Sequence, residues 1–182
     1  QDQPSQLSIE TAFGKYGLQS SVVSTDIRIK GDHRILGNYN TTESEGYRNN
    51  NNYKRKGFAL IGEHKVSNKV RLSWIANYVD LLGQIPSSLN LEDYTNDPTK
   101  AAFTWQQVNG FEDYTKFIAG ISAAIQTSDK SIWKVSLFTN SFDSYESRPF
   151  NIIEEDNSAI GLRSTFKQSI NTDLDINLGI EG

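Results

Sequence analysis

The chain has 182 residues, 36% of them hydrophobic, with a formal net charge of −4 and neither cysteine nor methionine. A mean hydropathy of −0.54, with no apolar run near the ~18 residues of a spanning helix, excludes helices in a membrane but not a barrel wall, half of which faces a wet interior. The acid excess and the lack of a Lys/Arg stripe argue against nucleic acid, and without cysteine there is no disulfide, thiol nucleophile or cysteine metal site.

Gln1 is not a natural start, so any targeting segment is expected outside this sequence. Gln1 to Gln6 is polar and expected to fray. Leu7, Ile9, Thr11 and Phe13 then alternate with Ser8, Glu10 and Ala12 as a first strand, turned by Gly14-Lys15-Tyr16-Gly17. In the second, Ser21, Val23, Thr25, Ile27 and Ile29 oppose a face carrying Asp26 and Arg28, and Lys30-Gly31-Asp32 is a tight-turn signal. A third strand over His33–Thr42 puts Ile35, Gly37 and Tyr39 on one face. A polar loop follows from Glu43 to Asn51, then a fourth strand over Tyr53–His64 with Phe58, Leu60 and Gly62 on one side, though Ile61 blurs its parity. After Val66-Ser67-Asn68 comes a fifth strand, where Val70, Leu72, Trp74, Ala76 and Tyr78 alternate with Arg71, Ser73, Ile75 and Asn77.

A loop from Gly83 to Glu112, far longer than a usual hairpin connection, leads to a sixth strand. There Phe117, Ala119, Ile121, Ala123 and Ile125 alternate with Lys116, Ile118, Gly120, Ser122 and Ala124. Thr127–Lys130 turns into a seventh strand with Trp133, Val135, Leu137 and Thr139 opposite Lys134, Ser136 and Asn140. A loop is expected over Asp143–Asn157, around Pro149 and the acidic Glu154-Glu155-Asp156. The eighth strand sets Ile160, Leu162 and Phe166 against Arg163, Thr165 and Lys167. After Ser169-Ile170-Asn171, the ninth sets Leu174, Ile176, Leu178 and Ile180 against Asp173, Asp175, Asn177 and Glu181.

The pattern is all-β: an antiparallel meander of about nine long strands with no helix. Period two over roughly ten residues matches a tilted strand crossing a bilayer, longer than the usual 5–6 residues of soluble sheets. Short turns at 30–32, 66–68, 127–130 and 169–171 face longer loops at 43–51, 83–112 and 143–157, the 14–17 hairpin excepted; that asymmetry describes a segment of a transmembrane barrel. The alternative is a soluble β-sandwich binding module, for carbohydrate or adhesion, in which the apolar face is a core. Periodicity alone does not separate a lipid face from a core face.

Three loop segments are more specific. Ser44-Glu45-Gly46-Tyr47-Arg48-Asn49-Asn50, followed by Tyr53-Lys54-Arg55, resembles the S-D/E-G-Y-R-x-N segment after the third barrel strand of TonB-dependent receptors. Gln84-Ile85-Pro86-Ser87-Ser88-Leu89 with Asp97-Pro98 and Ala101-Ala102 is similar to that family's P-G-S-L…D-P-x-x-A loop, with Ser87 where a glycine is usual. Ala12-Phe13-Gly14-Lys15-Tyr16 resembles its G-S-F-G-x-Y hairpin, with Ala12 departing from it. The resemblance covers about residues 7 to 126. It implies that residues 1–182 are the front part of a plugged, 22-stranded barrel, without the plug and without closure. Open edges at both ends would leave it dependent on the missing remainder.

The resemblance further implies uptake in the bacterial outer membrane, energised through TonB and the plug, with no bond made or broken. The implied partners are lipid, the rest of the barrel and a small ligand, a ferric siderophore or similar metal chelate. Haem, cobalamin and glycan receptors share the same scaffold. Loop aromatics and cations suit anionic chelates, so Tyr47, Arg48, Tyr53, Tyr94, Trp105 and Phe111 are candidate contacts, with Arg71, Lys116 and Lys134 as a positive lumen lining. The plainer alternative is that Tyr47 and Arg48 pin their loop, and that Trp74 and Trp133 are interface-belt or lipid-facing aromatics. No cofactor and no metal site is expected, since His33 and His64 stand alone in sequence without ligand spacing. Glu43/Glu45, Glu92/Asp93 and Glu154/Glu155/Asp156 read as solvated loop acids rather than a rigid catalytic pair. No nucleophile-elbow, Walker or dinucleotide motif occurs. A barrel lipase or protease would need a Ser/His or Asp/His set at the rim, and neither histidine has that company, so no enzyme is expected.

Overall fold

In the computed structural model, residues 4–29 and 32–182 are described. They form one 9-stranded antiparallel sheet whose spatial order is the chain order. The strands are β1 (Gln6–Phe13), β2 (Gln19–Ile29), β3 (His33–Ser44), β4 (Tyr53–Lys65), β5 (Val70–Gln84), β6 (Phe111–Ser128), β7 (Ser131–Ser147), β8 (Ile152–Ser169) and β9 (Asp175–Glu181). Of the expected Lys30-Gly31-Asp32 turn, Lys30 and Gly31 lie outside the described residues, as do Gln1–Gln3. The fraying expected through Gln6 does not hold at its end: Gln6 pairs with Asp26, and Ser5 Oγ accepts from the Arg28 amide at 3.0 Å.

The alternation read in the sequence matches the register, because directly paired residues share a face. One face collects Leu7, Ile9, Val23, Ile27, Ile35, Phe58, Leu60, Leu72, Trp74, Ile121, Val135, Leu137, Ile160, Leu162, Phe166 and Leu178. Among the described residues no second layer covers it. Among the described residues Ala101 is the buried hydrophobic side chain, whereas Leu7 is 70% exposed and Ile160 74%. A sandwich would bury these groups between two sheets; this single layer leaves them for an apolar solvent.

The apolar face ends at sharp margins. Toward the long loops, Tyr39, Phe58, Tyr78 and Phe117 are register partners in one continuous aromatic row, with Phe58 and Tyr78 stacked at 5.8 Å. Two residues further the same face turns charged: Lys56 pairs with Asp80 at 2.9 Å and Lys54 with Glu43 at 3.5 Å. From Val70 to Tyr78 a strand climbs roughly 26 Å at ~3.3 Å per residue, and a tilt of about 40° projects that to roughly 20 Å. That is close to the ~25 Å band of a membrane barrel, and aromatic rows at its margins suit the interface.

The opposite face is mixed. Asp26 accepts from Arg28 and Arg34 at 2.9 and 2.8 Å, Ser122 and Ser136 share a hydrogen bond at 2.7 Å, and Arg163 pairs with Glu181. Across it runs an apolar row of register partners, Leu36, Ile61 and Ile75, continuing through Gly120 to Phe138. Ile61 therefore belongs to a cross-strand cluster on the polar side, which is why β4 reads ambiguously alone.

Two expectations need correction. The Asp143–Asn157 loop is mostly strand: β7 and β8 pair from Ser147↔Ile152 onward, leaving Arg148 to Asn151 as the connection. Glu154, Glu155 and Asp156 thus sit in β8, beyond the apolar band, where both faces of a strand are wet and alternation no longer marks it. The second concerns helix: α1 (Leu91–Asn96) and α2 (Phe103–Gln107) lie in the loop between β5 and β6. Among the described residues no helix is long and apolar enough to cross a membrane.

Candidate functional site

The loops at the end away from the tight turns interlock into one assembly. The segment after β3 turns at Gly46, whose φ of +79° and approach to Asn51 (a Cβ would come within 2.2 Å of its carbonyl oxygen) admit only glycine. This turn aims Arg48 across the loop after β5. Its Nε donates to the Lys100 carbonyl at 2.8 Å, Nη1 to that of Ser87 at 2.6 Å and Nη2 to that of Pro86 at 3.3 Å. Asn50 Nδ2 donates to the Ile85 and Gly110 carbonyls at 2.8 and 2.9 Å, and the Asn49 amide to Thr99 at 2.7 Å. The planar guanidinium suits this task because it offers several donors in one rigid fork. Ser87 holds a left-handed φ of 56°, a backbone shape that a glycine takes with least strain.

Local chemistry explains the helices. Asn90 caps α1 by accepting from the Asp93 amide at 2.7 Å, and its Nδ2 donates to the Asp93 carboxylate at 2.8 Å. Asp97 ends the helix before Pro98. It accepts from the Thr99 hydroxyl at 2.5 Å and the Thr99 amide at 3.0 Å, and these hydrogen bonds hold its carboxyl below the usual carboxylate range. Lys100 Nζ pairs with Asp93 at 3.0 Å, which raises its pKa.

The candidate residues separate into groups. Tyr47, Arg48 and Tyr94 come together around an open cleft of about 450 Å³, completed by Leu89, Leu91 and Pro98. Tyr47 also meets Tyr16 edge-to-face at 5.4 Å. Trp105 packs over Gly110, where a Cβ would come within 2.4 Å of its ring, and so fills the interior of its own loop. Phe111 lies on the face of the apolar band, stacked on Tyr145 at 5.7 Å, whereas Tyr53 belongs to the polar face. Arg71 and Lys134 both pair with Ala124, in one row at the tight-turn end. Lys116 pairs with Val79 and Phe142 nearer the loops, so the three cations do not form one lining.

Register also unites what sequence separation hides. His33 and His64, isolated along the chain, are direct cross-strand partners. Among the described residues no group of three or more His, Cys, Asp or Glu is placed to hold a metal ion.

No family model and no curated protein matches the chain. Its fold is shared with solved structures. The ferric citrate transporter FecA in the unliganded form superposes over 97% of this chain and 28% of its own, with a TM-score of 0.78 at 9% identity. The ferric-catecholate import receptor Fiu from E. coli K12 does so in its closed form (TM-score 0.71, 11% identity, 98% of this chain and 32% of that one) and in its open form (0.73, 12%, 99% and 34%). The chain therefore spans about a third of the length of the proteins it resembles, and has the fold of a stretch of their β-barrel.

Proposed function

We propose that residues 1–182 are a stretch of barrel wall from a TonB-dependent outer-membrane receptor that takes up a ferric siderophore or similar metal chelate without chemically altering it. The observation that carries this reading is the uncovered apolar band on one face of a single sheet, edged by an aromatic row and then by charge. The band faces outer-membrane lipid and the polar face lines the lumen. A plug domain, through which TonB acts, covers the lumen-side row of Leu36, Ile61, Ile75 and Phe138. The remaining strands of the barrel pair with the edges of β1 and β9.

Tyr47 and Tyr94 present aromatic faces to the ligand, while Arg48 sets the loop that carries Tyr47. Tyr53 and Lys116 line the lumen below, and Arg71 and Lys134 lie at its far rim. Support for a ferric chelate comes from the two superposed proteins, one a ferric citrate transporter and the other a ferric-catecholate import receptor.

The test is binding of ferric citrate and of a ferric catecholate to the full-length protein, with iron uptake by cells lacking it. Loss of uptake of one chelate on deletion is expected. Tyr47→Ala and Tyr94→Ala together are expected to weaken binding of that chelate roughly fivefold, from about 1 kcal/mol of lost aromatic contact. Uptake of both chelates that is indifferent to deletion, with no binding of either, overturns the reading.

A further inference from the structure

At the tight-turn margin of the apolar face, side chains from three neighbouring strands form one directional chain. Trp74 Nε1 lies 3.0 Å from His64 Nε2, and His64 Nδ1 lies 3.3 Å from His33 Nδ1. An indole nitrogen only donates, so His64 Nε2 is a bare acceptor and that ring carries its proton on Nδ1. This proton is then the donor to His33 Nδ1, and His33 keeps its own on Nε2. The chain closes only when both imidazoles are neutral. A proton added to His64 lands on Nε2 and confronts the indole N–H; one added to His33 lands on Nδ1 and confronts the proton on His64. Either breaks a link. A metal ion on the two Nδ1 atoms meets the same obstacle, since His64 would have to carry its proton on Nε2, against Trp74.

The surroundings isolate the chain. Trp74 lies over Gly62, where a Cβ would come within 2.1 Å of its ring, and the ring centroids run 5.5 Å from His33 to His64 and 6.3 Å on to Trp74. On the same face stand Ile29 of β2, Ile35 of β3, and Val70 and Leu72 of β5, none of them charged. Arg34, Glu63 and Arg71 occupy the opposite face, and Asp32 and Lys65 at the adjoining turn pair with each other at 3.5 Å.

We propose that His33, His64 and Trp74 form a proton-sensitive latch on the outward face. It is closed while both rings are neutral, and a proton on His64 Nε2 opens it at Trp74. Opening releases the Trp74 indole from its seat over Gly62 and places a cation at the rim of the apolar band.

The test is ¹⁹F NMR of the full-length protein carrying 5-fluorotryptophan in liposomes, with the Trp74 resonance identified by its loss in Trp74→Phe. As the pH is lowered from neutral into the acid range in which an imidazole takes up a proton, the resonance is expected to move through one step. His64→Gln keeps a carbonyl acceptor for the indole but no titrating ring, and is expected to abolish the step. His33→Phe is expected to keep it, since the link between His64 and Trp74 still breaks. If His64→Gln does not assemble, His64→Asn serves the same comparison. A wild-type resonance that does not move, or a step that survives loss of His64, overturns the latch.

Discussion

Arg48 donates to the carbonyls of Lys100, Ser87 and Pro86, and so ties the loop after β3 to the loop after β5. Arg48→Ala takes the Arg48 donor from the half-buried Lys100 and Ser87 carbonyls, while Pro86 keeps the Ala102 amide, and Arg48→Lys does not restore the fork. Both variants are expected to open the loop pair by about 1–3 kcal/mol. Hydrogen exchange at the Asn49 and Ala102 amides, which bond to Thr99 and Pro86, should accelerate roughly tenfold or more while β5 and β6 stay protected. Equal protection in wild type and Arg48→Ala would show that the clasp adds nothing. Asp97 gives the same loops a pH dependence. Its folded pKa lies below the ordinary value because Thr99 bonds the ionised form, so its contribution is full above about pH 4, the unfolded range. That contribution fades as pH falls through the lowered value. Exchange protection of the Thr99 amide is expected to hold from neutral pH to about 4 and to drop below it, in wild type but not in Asp97→Asn.

Among the elements, β7 shows the two faces in adjacent residues: Leu137 pairs with Ile121 and Leu162 in the apolar band, and Ser136 with Ser122 and Arg163 on the polar side. A charge on the lipid side near the midplane costs about 2–4 kcal/mol. Leu137→Lys is therefore expected to lower unfolding stability in liposomes by about that amount, and Ser136→Lys by less than about 1 kcal/mol. Equal losses would mean that both faces meet the same solvent. These strands were legible in the sequence because one apolar and one polar face impose period two. Where β7 and β8 rise past the band, as at Asp143 and Glu154, both faces are wet, so the pattern vanishes although the backbone ladder continues. The helices are too short for periodicity to mark, and the ends of α1 at Asn90 and Asp97 became visible only in the structure. The clasp of Arg48 and the pairing of His33 with His64 depend on register and distant loops, which no local pattern encodes.

At the scale of the whole molecule, the nine strands form one sheet, and among the described residues no second layer gives it a core. Exposed apolar surface at Ile121, Leu137 and Ile160 calls for an apolar partner, which in the proposed reading is lipid, and the open edges of β1 and β9 call for further strands. The asymmetry between rims is carried by two loops, after β3 and after β5, since the connection between β7 and β8 is short. The charged ends of the strands above Tyr39, Phe58, Tyr78 and Phe117 then stand in water with those loops. The most direct test places nitroxide labels one at a time at residues 118 to 123 of β6 and 134 to 139 of β7 in the full-length protein in liposomes. Accessibility to oxygen and to a water-soluble nickel chelate is then compared at each position. Oxygen accessibility is predicted to peak at Ala119, Ile121, Ala123, Val135, Leu137 and Thr139, with the chelate favouring the alternate positions. A flat profile, or oxygen maxima at Ser122 and Ser136, would contradict a wall with lipid on one side and water on the other.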